Sequence, residues 1–109
     1  MKITSLFALP IITVSHDPIE KRVILKNGDV PHITQLACAT IKPGQISSKH
    51  SHVDMTETFC FQSGVAEMEV DGNIFEVCSG TNVTVYPGEA HEIRNNGTED
   101  VVVLYFGVV

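Results

Sequence analysis

The chain has 109 residues, 43% of them hydrophobic and 18% charged, a balance that suits one compact domain and excludes both intrinsic disorder and two independent cores. Thirteen acidic residues against seven basic ones give a formal net charge of -6. The cations, at positions 2, 21, 22, 26, 42, 49 and 94, are scattered, so no basic face is available to follow a phosphate backbone and nucleic-acid binding is not expected.

The opening segment, MKITSLFALPIITV, is apolar after Lys2 and superficially resembles a short secretory signal. Pro10 interrupts it and no A-x-A-like cleavage site follows, so it reads as an N-terminal strand arm over residues 1–15. No apolar run approaches the length needed to cross a membrane as a helix. From there on, turn signals recur at short intervals: Asn27-Gly28-Asp29, Lys42-Pro43-Gly44, Ser63-Gly64, Asp71-Gly72, Ser79-Gly80, Pro87-Gly88 and Asn95-Asn96-Gly97. Between them lie strand-sized segments rich in Val, Ile, Thr and Phe: Val23–Leu25, Ile33–Ile41, Glu57–Gln62, Val65–Val70, Ile74–Val77, Val83–Tyr86 and Val101–Phe106. No window of helical length carries a clean 3.6-residue period free of Gly or Pro. The pattern predicts an all-β antiparallel sandwich or barrel, with a tight hairpin at Asp71-Gly72, where both residues tolerate positive φ.

Two apolar segments call for a cover. Val101-Val102-Val103-Leu104-Tyr105-Phe106 is apolar at odd and even positions alike, and the N-terminal arm would be an aggregation hazard if left bare, so a homodimer is expected. Cys38, Cys60 and Cys78 form an odd set without a CxxC pair, which fits reduced thiols in a cytoplasmic protein. They read as small core residues.

The chemistry gathers in the middle of the chain. His50 and His52 are two residues apart, so on an extended strand both rings leave the same face. Glu57 follows after a short loop, and His91 comes just after the Pro87-Gly88 turn. Three neutral imidazoles and one carboxylate make a complete donor set for Fe, Mn, Ni, Co, Cu or Zn. By strand alternation Phe59 and Phe61 share the face of Glu57, and Ile93 shares that of His91. Lys49, Glu92 and Arg94 point the other way, so no cation is evidently placed to hold a phosphate group. Cys60 falls on the face opposite Glu57, which argues against a nucleophile there. His16 and His32 sit in turn-like contexts and are expected to face solvent without a role. Asn95 is expected to form a turn.

Gly44, five residues, His50, one residue, His52, four residues, Glu57, six residues and Gly64 resemble the first motif of the cupin superfamily (residues 44–64). Gly80, Gly88, two residues, His91, three residues and Asn95 resemble the second (residues 80–95), except that Pro87 directly precedes Gly88 where that motif places its proline one position earlier. The resemblance implies a single-domain double-stranded β-helix, a jelly-roll-like cupin barrel over residues 1–109. It also implies one divalent transition metal per chain, held by His50, His52, Glu57 and His91. The function it implies is a metal-dependent small cupin acting as an isomerase, lyase or dioxygenase on a small oxygen-rich metabolite. The alternatives are a barrel that binds or senses a small molecule without changing it, and a structural barrel whose cluster is vestigial.

Overall fold

A computed structural model describes all of residues 1–109. Ten strands follow one another: β1 (Ile12–Thr13), β2 (Glu20–Leu25), β3 (Ile33–Ile41), β4 (Ile46–His50), β5 (Thr56–Ser63), β6 (Val65–Val70), β7 (Asn73–Cys78), β8 (Asn82–Val85), β9 (His91–Arg94) and β10 (Val101–Val108). They form two antiparallel sheets, β1-β2-β3-β10-β5-β8 and β4-β9-β6-β7, packed face to face as a double-stranded β-helix. β3 and β6 have the bounds that residue patterning predicts. β8 stops at Val85, one residue short of the expected end, because Pro87 cannot donate to a ladder and restricts Tyr86 before it. β4 and β9 lie outside the strands read from residue type; Ile46-Ser47-Ser48-Lys49-His50 has none of the expected Val and Phe.

Alternation sorts the side chains. Along β10, Val101, Val103, Tyr105 and Gly107 are buried while Val102, Leu104 and Phe106 are half-buried on the outer face. Inside, Ile41, Phe59, Phe61 and Val103 of the larger sheet meet Ala66, Met68, Val77 and Ile93 of the smaller one. Ala37 and Ala39 of β3 are buried in the same layer.

Cys38 and Cys60 do not join this core. They are half-buried on the outer face, each paired with Leu104 from opposite sides, and Cys78 is exposed. The inward slots are taken by Ala37, Ala39, Phe59 and Phe61, so the thiols are forced outward by parity.

Two turns carry backbone demands that only certain residues meet. Asp71 and Gly72 both have positive φ, 46° and 82°, as a two-residue type I′ hairpin between β6 and β7 requires. Gly64, between β5 and β6, has φ 82°, and a Cβ there would run into the Asp100 carbonyl and the Val101 backbone.

The N-terminal arm contributes one 3-10 turn, Leu6–Ala8, and the two-residue β1. Arg22 clamps the turn: its Nη1 donates to the Leu6 and Leu9 carbonyls, each at 3.3 Å, and its guanidinium lies over the Phe7 ring. Asn95 is fully buried and acts as a staple. Its Nδ2 donates to the Ile41 and Glu99 carbonyls, both at 2.8 Å, and its Oδ1 accepts from the Gly97 amide. That arrangement fits its reading as a turn former.

Candidate metal centre

His50 ends β4 and His91 begins β9, and the ladder pairs them directly. His52 sits just beyond, in the loop to β5, where its carbonyl accepts from the Gly88 amide at 2.7 Å and so ties the loop to the Pro87-Gly88 turn. Glu57 comes from the other sheet, its β5 strand pairing with β8 and β10. One ligand atom from each of these four residues can be chosen so that all lie within 4.8 Å of one another. The cluster could hold a metal ion.

The polar atoms show what such an ion would satisfy. His52 Nε2 and His91 Nε2 stand 3.0 and 3.2 Å from Glu57 Oε1, yet these three buried atoms have no partner in hydrogen-bond geometry. Buried polar atoms left without a partner are costly, and a cation among them would answer all three at once. The opposite ring nitrogens are fixed: His91 Nδ1 faces the Glu89 carbonyl at 3.1 Å and His50 Nδ1 the Ser48 carbonyl at 2.7 Å. A proton on each Nδ1 leaves Nε2 as the free donor atom, the arrangement typical of metal-binding imidazoles.

Burial works against the charge on Glu57, but His91 in contact and the nearby His52 and His50 outweigh it and hold the carboxyl below its usual 4.5. For His91, burial again opposes the charged form, but its contacts with the Glu57 carboxylate and with the Glu89 carbonyl more than compensate, raising it above 6.5. Both shifts favour the pairing of a carboxylate with a protonated imidazole over two neutral groups.

Three of the four residues, His50, His52 and Glu57, line a cavity of about 190 Å³ between the sheets. Phe59 and Ile93 supply apolar wall, as alternation predicts, joined by Ile41 and Val103, while Phe61 is buried in the core. Phe59 stacks on Tyr105, ring centroids 5.8 Å apart. Burial, with smaller contributions from Glu57 and Cys38, pushes the Tyr105 phenol up to about 12, so it stays a neutral hydroxyl on the cavity wall. Met55 also lines the cavity; Thr34 Oγ1 lies 3.1 Å from its sulfur, and Gly107 leaves the space it fills.

The rim holds residues that patterning left without a role. His16 is exposed but borders the cavity, beside Asp17, whose carboxylate accepts from the Ser48 amide and hydroxyl at 3.0 and 2.6 Å. His32 is remote from it and holds the C-terminus, pairing with Val109 through backbone and ring. Lys49 and Arg94 face outward in an ion-pair network with Glu67, Glu69 and Glu92. One cation does line the cavity: Lys21, on β2. The alternation Ile19, Lys21, Val23 carried that signal, since a buried Ile19 and a half-buried Val23 set the inward parity.

Residues 37–107, well over half of the chain, match the Cupin domain family. The chain is a cupin. Its fold is close to that of a predicted oxalate decarboxylase from Thermotoga maritima, with TM-score 0.93, 18% identity and 99% of each chain covered. KdgF from Halomonas sp. is similar over all of this cupin and 94% of its own chain, with TM-score 0.83 and 14% identity. In sequence, this cupin is 32% identical over 78 residues to the UDP-2-acetamido-2,6-beta-L-arabino-hexul-4-ose reductase of Pseudomonas aeruginosa. That match takes in 64% of this chain but only 21% of the reductase. No helix is long and apolar enough to cross a membrane.

Proposed function

We propose that this cupin is a metal-dependent enzyme for a small oxygen-rich metabolite, of isomerase, lyase or dioxygenase type, with one divalent transition metal held by His50, His52, Glu57 and His91. The observation that carries the reading is the meeting of four donor groups from both sheets and the loop that joins them, three of their buried atoms lacking any other partner, beside a cavity. Four protein ligands leave positions open on a six-coordinate ion, which would orient and polarise a ligand's oxygen atoms. The chain's own groups do the rest. Phe59, Ile93 and Val103 exclude water from the cavity wall, and the Tyr105 hydroxyl offers a hydrogen bond to the ligand without ionising.

The test is elemental analysis of protein purified without chelator, followed by oxygen-uptake measurement if iron dominates. A chain that takes up no metal at pH 8 overturns the reading. Proton competition gives it a pH signature. Each imidazole must be neutral to coordinate, and the raised affinity of His91 for its proton means that competition begins above the ordinary histidine value of 6.5. Saturating manganese or zinc is therefore expected to raise Tm by about 10 °C at pH 8 and by almost nothing at pH 5, in parallel differential scanning fluorimetry runs. An equal gain at both pH values would place the ion elsewhere.

The homodimer belongs to the same proposal. Ile3 and Phe7 are 80% and 83% exposed on the arm, and the outer face of β10 is only half-covered. A second copy covering them would account for both. Light scattering at micromolar concentration should give twice the chain mass; a monomer would refute it.

A further inference from the structure

Along β2 the register sets Lys21 opposite the buried Ala39 and Val23 opposite the buried Ala37. Directly opposed residues of an antiparallel pair project to the same side, so the Lys21 side chain is aimed inward. It lines the same cavity as His50, His52 and Glu57 and is the only Lys or Arg to do so. Its Nζ donates to Gln35 Oε1 at 3.0 Å, and no carboxylate lies within ion-pair distance of it. By contrast Lys2, Lys42, Lys49 and Arg94 each pair with an acid. An ammonium has three donors, so two remain for something else. Gln35, with its carbonyl turned to Lys21, has an amide NH2 that meets no protein acceptor. Burial draws the Lys21 pKa below its ordinary value. The direction records the cost of holding a charge there, which an apolar side chain in the same slot would avoid.

We propose that Lys21 and Gln35 form the anion-recognising end of the cavity, and that the ligand is a small monocarboxylate whose other oxygen atoms face His50, His52, Glu57 and His91. The proposal rests on reading that cluster as a metal site. Charge balance selects the class. A divalent ion together with Glu57, Asp17 and Lys21 leaves one positive charge in the cavity, which one carboxylate neutralises and a phosphate dianion would exceed. The donor set agrees: a single ammonium beside an amide suits a carboxylate, whereas phosphate sites gather several cationic or backbone donors. Asp17 does not pair with Lys21, and each of its oxygens accepts from Ser48.

The test uses glycolate, 3-hydroxypropionate and 4-hydroxybutyrate, each against its neutral amide, in calorimetric titrations of metal-free and manganese-loaded protein at pH 8. The three acids sample different spans between hydroxyl and carboxylate. At least one acid is expected to bind metal-free wild type about tenfold more tightly than its amide. Lys21→Met should reduce that preference to under about twofold. Gln35→Glu should do the same by giving Lys21 an internal partner, which separates loss of recognition from loss of folding. Lys21→Arg should restore the preference, and Lys26→Met, at an exposed position, should not alter it. An undiminished preference in Lys21→Met, or none in metal-free wild type, overturns the proposal. Failure of the metal reading looks different: no manganese uptake by elemental analysis, with a Lys21-dependent preference intact.

Discussion

Glu57→Gln is expected to cost the site about 100-fold or more in metal affinity while leaving the circular dichroism spectrum of the barrel unchanged. The amide keeps the shape of the carboxyl but removes the one negative charge contributed by the four groups, and with it the attraction that offsets the dehydration of a divalent ion. His91→Ala should reach a similar loss by another route. It deletes a donor whose ring is already oriented by the Glu89 carbonyl and leaves Glu57 buried with one fewer neighbour. Competition with a fluorescent chelator measures both. Wild-type affinity in either variant would show that the ion does not sit among these residues.

Phe61→Ala should be the most damaging single change to the fold. The ring is 1% exposed, at the centre of the layer between the sheets, and is among the largest fully buried side chains. Truncating a buried Phe to Ala costs about 3–5 kcal/mol, a large part of the roughly 5–15 kcal/mol that holds a domain together. Urea denaturation should show the midpoint collapse, whereas Ile74→Ala, at a position 59% exposed, should shift it little. A loss below about 1 kcal/mol at position 61 would mean that the two sheets do not close over that ring.

Much of the architecture could be read from residue order because two kinds of signal coincide. Turn residues with positive φ, such as Asp71-Gly72 and Gly64, mark the corners, and strands such as β3 and β6 carry β-branched or aromatic side chains between them. The His and Glu residues stood out because their spacing and their donor chemistry agree. What stayed hidden was the parity of β2 and β3. Ala37-Cys38-Ala39 gives no hint of which residue faces inward, since all three are small and apolar, and the core takes the alanines. Lys21 was hidden in the same way, between Glu20 and Arg22 in what reads as a charged surface run, although Ile19 and Val23 set its direction. β4 was concealed by its own polarity, for Ser47, Ser48 and Lys49 fill three of its five positions.

The division of the donor cluster between the two sheets has a mechanical corollary. His50 and His91 ride on the smaller layer, His52 on the loop that joins the layers and the carboxylate on the larger, so relative sliding of the layers would pull the donor atoms apart. An ion seated there would act as a rivet at the mouth of the barrel, and whatever loosened the rivet would widen the entrance that a visiting molecule must use.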